Sequence, residues 1–354
     1  IPFIARYRKE VTGSLDDSVL RTLDEKLTAL RNLAQRKQEV QDLIGAQGKL
    51  TEEVRAAIER AATVTEVDDI YRPFRPKRKT RASVARERGL EDLAILLFAQ
   101  EKSYTPSIEE QAARFVDPER EVPDVAAALQ GAMDIVAEEV SDNADYRREL
   151  RRLTFDAGSL TRKAAKEEDS VYAMYYDFSE PLRKLPGHRI LAIHRGEKEE
   201  FLKVALTVPE DVVLGYLYNR VLSGNRSPAE PYVREAVTDA YNRLIAPSIE
   251  REIRNDLFDT ACEGAIKVFS DNLGHLLMQP PLKGKVVLGF DPGYAHGCKL
   301  AVVDPTGKVL DTAVVYPTIK PRAEEAARVV KRLIRNYAVD VVAIGNGTAS
   351  RESE

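Results

Sequence analysis

The sequence predicts a mainly α, multi-helical region over residues 1–280, followed by a partial α/β domain over residues 285–354. Two observations carry this reading. Through most of the first part, apolar residues recur at spacings of three and four, the period of a helix with one buried face. After Pro280-Pro281 the pattern changes to short β-branched runs separated by turn residues.

Within the first part, Leu20, Leu23, Leu27, Leu30 and Leu33 fall on one face of a long amphipathic helix. Ser14 with Asp17 three residues on predicts its start, and Gly45 and Gly48 its stop. Thr65 with Asp68 and Ser107 with Glu110 repeat the start signal. Val125, Leu129, Ala132, Val136 and Val140 mark a further helix, and Val233, Val237, Tyr241 and Leu244 another, opened by Pro231. A helix from about Ser248 to Met278 carries Ile249, Ile253, Leu257, Ala261 and Val268. One β interruption is expected near 189–206, with 189–194 and 201–206 pairing as a hairpin around the polar 195–198 turn.

In the second part, Val286–Phe290 reads as a buried strand. Leu300–Val303 and Val309–Val315 follow, joined by the turn Asp304-Pro305-Thr306-Gly307. A helix over roughly Pro321–Tyr337 and a strand over Val339–Ile344 complete the order strand, strand, strand, helix, strand. That is the opening half of an RNase H-like fold. In such a sheet the fourth strand lies beside the first and is left here as an exposed edge. The chain opens at Ile1-Pro2-Phe3-Ile4 and stops at Glu354, both within patterns, and is expected to be a piece of a longer protein.

No run of 18 apolar residues exists, so no membrane span is expected. Cys262 and Cys298, with four scattered histidines, form neither a disulfide framework nor a metal-ligand spacing, and point to a reducing, cytoplasmic setting without a metal or other cofactor. The formal net charge of −4 leaves attraction for nucleic acid to local clustering. Such a cluster stands at Arg72, Arg75, Lys77, Arg78, Lys79, Arg81, Arg86 and Arg88, with Glu87 the one acid among them. Pro73 and Pro76 predict a loop rather than a helix. Its cations could neutralise phosphates and release counterions, while Tyr71 and Phe74 could stack on unpaired bases. Internal pairing with the chain's carboxylates accounts for the same residues equally well.

Asp291, in Gly289-Phe290-Asp291-Pro292-Gly293, stands at the end of the first strand of the α/β part. Metal-dependent nucleases of this fold place a carboxylate there, and actin-like ATPases do too. Two-metal cleavage needs several carboxylates converging on ions ~3.5–4 Å apart. The fourth strand ends instead in Ile344-Gly345-Asn346-Gly347, which offers none. An aspartate accepting hydrogen bonds from its own turn is therefore the favoured reading over a Mg²⁺ ligand. Asn346, Gly347, Thr348, Ser350 and Arg351 could form an anion-binding loop of backbone amides and polar side chains.

Four separated segments together resemble the Tex family of bacterial transcription accessory proteins. They are Ile1–Glu10, Tyr71–Arg88, Gly289–Gly293 and Ile344–Glu352. The resemblance spans the whole chain. It implies a helical region containing a helix-turn-helix and a YqgF domain of RNase H-like fold, with helix-hairpin-helix and OB-fold modules beyond. It also implies a cytoplasmic protein that binds RNA or DNA and meets the transcription machinery, with an incomplete nuclease carboxylate set. The leading expectation is a non-catalytic nucleic-acid-binding scaffold, with Arg72, Arg75, Lys77, Arg78, Lys79 and Arg81 as contacts. A metal-dependent nuclease using Asp291 is the alternative, and an actin-like nucleotide hydrolase ranks third.

Overall fold

Two short helices, α1 (Pro2–Tyr7) and α2 (Lys9–Thr12), precede the long α3 (Asp17–Ala46) in the computed structural model, which describes residues 1–165, 170–280 and 282–354. Asp16, not Ser14, caps α3: its carboxylate accepts the Val19 N–H at 2.9 Å. Ser14 lies in a left-handed turn with φ of 67°, two residues too early to reach the first helical amides. The C-terminal half of α3 buries Val40 and Ile44 against α4 (Glu52–Arg60) and α5 (Val64–Tyr71). The leucine face divides: Leu20 is buried and Leu33 half-buried, but Leu23 and Leu30 are exposed by 53% and 63%. Helical period was legible there, but burial was not.

The cap of α5 also sits earlier than expected. Thr63, rather than Thr65, accepts the Glu66 N–H, and Asp68 is taken by Arg36 at 2.6 Å. Next come α6 (Arg81–Glu87), α7 (Glu91–Ala99) and α8 (Ile108–Ala112), the last opened by the expected Ser107/Glu110 box. The helix α9 (Val125–Asp142) is buried on most sides and forms the axis around which α6, α7 and α13 (Glu230–Asp239) pack. Gly131 permits that closeness, since a Cβ there would stand 2.3 Å from Leu90 Cδ1. α10 (Ala144–Ala157) follows α9 directly.

The expected hairpin at 189–206 is half wrong. Residues 187–198 form α11 (Gly187–Lys198), burying Ile190 and Ile193 one turn apart. A short apolar run is ambiguous between strand and helix, and here it packs as a helix with both isoleucines on the buried face. The second half is a strand, β3 (Leu202–Thr207), but its partner is β1 (Ser159–Ala164), which also pairs β2 (Phe178–Pro181), both antiparallel. α12 (Glu210–Val221), α13, a π-helical segment Ala240–Ile245 and the long α14 (Ala246–Leu277) complete the helical part.

The chain divides into two units, Ile1–Lys267 and Val268–Glu354. The second is built on β4 (Val287–Asp291), β5 (Cys298–Val303), β6 (Val309–Val315), α15 (Lys320–Asn336) and β7 (Val341–Ile344), ending in the short α16 (Ser350–Ser353). Its sheet order is β6-β5-β4-β7, with β7 parallel to β4 and the other pairs antiparallel. This is the strand order expected of an RNase H-like sheet, with β7 at one edge. The turn after β5 closes by a Gly307 N–H to Asp304 O bond of 3.0 Å, with Gly307 at φ of 89°, where a side chain would be strained. Leu288, Phe290, Cys298, Leu300, Val302 and Val315 pack against Ala326 and Leu333 of α15. Burying a side chain such as Leu333 contributes roughly 1.5–3 kcal/mol, so this face holds the helix to the sheet.

Candidate nucleic-acid interface

The basic segment begins where α5 ends. Arg72–Phe74 is a single 3-10 turn, residues 75–80 are irregular, and Arg81 opens α6 under a Thr80/Ser83 capping box. The prolines thus keep only the first half out of a helix, and Arg81, Arg86 and Arg88 are presented from or beside one. Tyr71 is buried and Phe74 half-buried in the cluster with Val40, Ile44, Ile58 and Val67. The Tyr71 ring is not available to stack on a base, which corrects that expectation, and Phe74 is left only partly exposed. Both rings anchor the segment.

The cations fall into two groups. Arg72 Nε lies 3.2 Å from Asp142, and Lys77 is hydrogen-bonded to Asp142 and 3.3 Å from Glu138. Arg86 contacts Glu138 at 2.7 Å, Thr80 donates to the same carboxylate at 3.1 Å, and Arg88 pairs with Glu121. Burial pushes the Glu138 carboxyl up, but Arg86, Lys77 and Thr80 outweigh it and hold it below the usual carboxylate range. By contrast Arg75, Arg78, Lys79 and Arg81 are exposed, with no carboxylate at ion-pair distance among the described residues. Internal pairing and outward presentation, which the sequence left even, therefore divide the segment between them.

Sequence reasoning missed the counterions. Glu138 and Asp142 stand four residues apart on α9, a helix whose buried residues are mostly apolar. Two acids at i, i+4 inside such a pattern were the signal for buried partners. Beneath them lies a second ion cluster. Arg147, fully buried, donates to Asp69 at 2.9 Å, to Ser248 at 2.7 Å and to Glu252 at 3.0 Å, while Arg151 bridges the same two carboxylates. Burial raises the Glu252 carboxyl, yet Arg151 and Arg147 bring it below its usual value. This cluster ties α5, α10 and α14 to the base of the basic segment.

In the second unit, Asp291 is exposed at the end of β4, in an open recess with Gly289, Lys299, Thr312, Ala343 and Gly345. The loop after β7 is its neighbour, as parallel pairing of β4 and β7 requires: the Gly345 N–H donates to Phe290 O at 2.9 Å. Ser350 N–H donates to Gly347 O at 3.3 Å, so that amide is already used, whereas Arg351 is exposed. Glu352 accepts from Tyr294 at 2.8 Å. Among the described residues, no three His, Cys, Asp or Glu side chains are grouped to hold a metal ion. No helix of the described residues is long and apolar enough to cross a membrane.

A mainly helical region followed in sequence by a mixed four-stranded sheet of order β6-β5-β4-β7 defines the class of fold. Comparison with known proteins makes the assignment specific. Residues 1–45 match the Tex-like protein N-terminal domain, 103–269 the Tex central region-like family and 285–354 the Tex protein YqgF-like domain. The chain belongs to the Tex family. It is 40% identical over 372 residues to protein tex of Bordetella pertussis and 38% identical over 362 residues to transcriptional accessory protein Tex of Neisseria gonorrhoeae. It is 34% identical over 370 residues to human S1 RNA-binding domain-containing protein 1. Each alignment takes in the whole chain, which spans 46%, 47% and 37% of those relatives respectively.

Proposed function

We propose that this chain serves transcription as a non-catalytic binder of RNA or DNA, with Arg75, Arg78, Lys79 and Arg81 as its phosphate contacts. The observation that carries this reading is the division of the basic segment. Arg72, Lys77 and Arg86 clamp its base to α9. The four cations between and beside them are left facing solvent. A loop held in shape by ion pairs presents its free charges with little further ordering cost, which favours binding. The names of relatives, one a transcriptional accessory protein and one carrying an S1 RNA-binding domain, agree with this role. Among the described residues no three metal-ligating side chains gather at Asp291, which supports a scaffold role for the RNase H-like sheet.

The test is the salt dependence of binding to RNA and to DNA. Replacing Arg75, Arg78, Lys79 and Arg81 by Gln should lower affinity and flatten the slope of log K against log salt by up to ~0.9 per lost phosphate contact. An unchanged slope removes this loop as a contact. Cleavage of nucleic acid in Mg²⁺ or Mn²⁺, abolished by Asp291→Asn, would overturn the non-catalytic reading.

A further inference from the structure

The helix α15 carries a second cationic surface that neither the basic loop nor the sheet recess accounts for. Its inner face buries Ala326 and Leu333 and half-buries Val329, Val330, Ile334 and Tyr337 against the sheet. Its outer face carries Arg328, Lys331, Arg332 and Arg335, all exposed. At 3.6 residues per turn these four fall within an arc of roughly 100°, opposite the buried stripe. None has a carboxylate at ion-pair distance among the described residues, and Arg328 reaches only the backbone oxygen of Glu324 at 3.4 Å. The two acids of the helix, Glu324 and Glu325, lie N-terminal to the stripe.

We infer that this face docks on the phosphate backbone of duplex DNA. Neighbouring positions at i, i+3 and i+4 stand ~5–6 Å apart, so the stripe is a regular row of positive charge about two turns long. Three of its four members are arginines, whose planar forks match phosphate oxygens in pairs. All four groups are donors only, and phosphate oxygens, which only accept, are their direct complement. Tyr337, the helix's neighbouring ring, is turned inward and donates to Asp311 at 3.2 Å, so the face offers no platform for an unpaired base. A rigid, donor-only, ring-free row suits a backbone read without its bases. Duplex DNA supplies one negative charge per ~1.7 Å of axis.

The inference rests on the nucleic-acid reading but on different residues, so two variants of the full chain separate them. One carries Arg328, Lys331, Arg332 and Arg335 all changed to Gln; the other carries the four loop changes at 75, 78, 79 and 81. Binding to a random-sequence DNA duplex, a single-stranded RNA and anionic vesicles is measured across salt, with thermal unfolding as a folding control. The helix variant is expected to lose roughly tenfold or more in duplex affinity, with its salt slope reduced by about 3. Changing the three arginines to Lys should preserve the slope. A duplex slope unchanged in the helix variant but reduced in the loop variant overturns this inference and leaves the functional reading intact. Slopes unchanged in both variants overturn both. Loss confined to RNA or to vesicles assigns the face to another polyanion and overturns the duplex assignment.

Discussion

In the helical unit Arg147 is wholly buried between Asp69 and Glu252, while in the α/β unit Arg328, Arg332 and Arg335 face solvent with no carboxylate at ion-pair distance among the described residues. The same side chain serves opposite ends. A buried guanidinium is tolerable only with its charge met and most of its donors satisfied, so the helical unit spends acids on α5, α9 and α14 to hold its arginines. An exposed one needs no partner to be stable, and whatever it binds must come from outside. The basic segment at 72–88 contains both kinds within one stretch, which is why its sequence alone supported both readings.

The largest effect expected from this contrast is at the buried cluster. Asp69→Ala leaves Arg147 without its nearest counterion and weakens Arg151, and should cost about 3–5 kcal/mol in urea unfolding. Arg147→Met should cost clearly less. It removes the buried charge together with Nη1, which has no hydrogen-bond partner, and leaves Asp69 with Arg151. If Arg147→Met proves the more damaging of the two, the cluster's acids are not there to neutralise its arginines.

A smaller and more discriminating effect lies within the basic segment. Lys77→Gln breaks contacts to Asp142 and Glu138 and should cost about 1–2 kcal/mol of stability. Arg78→Gln, one residue on, should leave stability within ~0.5 kcal/mol. The two should exchange places in a binding titration, with Arg78→Gln reducing the salt slope and Lys77→Gln hardly affecting it. Equal behaviour in both assays would erase the distinction between clamp and contact.

Acid should loosen the clamp. Glu138 and Glu252 titrate below their usual range when folded, so the stability they contribute is present above that range and fades as pH falls through their folded values. Asp134 and Asp256 have the opposite sign. Burial raises both carboxyls, partly offset at Asp134 by Arg243, so each subtracts stability as pH climbs from the usual aspartate value to the raised one. The urea midpoint should therefore drop between ~pH 5 and ~pH 3, and Glu138→Gln should flatten that limb. A limb unchanged in that variant would mean Arg86 and Lys77 contribute nothing through Glu138.

Most of the fold was legible because period and punctuation are local. The strand-strand-strand-helix-strand order from Val287 to Ile344 followed from apolar runs and the Asp304–Gly307 turn alone. What escaped depends on distant partners. Ile190 and Ile193 form a helix face because of what they pack against, and β1, with alternating Leu160 and Arg162 buried, reads as an unremarkable polar stretch until β3 pairs with it. Leu23 and Leu30 have the right spacing and remain exposed, since spacing reports amphipathicity and not a partner. At the candidate interface the sequence identified the cations but not which were already taken. That needed Glu138 and Asp142, more than 50 positions away in the chain.

The finest distinction separates two reasons for cations on α15. Lysine and arginine near a helix C-terminus complement its dipole, which contributes about 0.3–1 kcal/mol within the last turn and falls away further in. Arg335 lies in that last turn, while Arg328 is mid-helix. If the dipole alone explains these residues, Arg335→Gln should lower stability by a few tenths of a kcal/mol, and Arg328→Gln should affect neither stability nor binding. If the face binds phosphate, Arg328→Gln should leave the unfolding curve in place and still reduce the duplex salt slope by up to about 0.9, as Arg335→Gln does. The mid-helix arginine is thus the informative one, because among the described residues its guanidinium hydrogen-bonds only a single backbone oxygen.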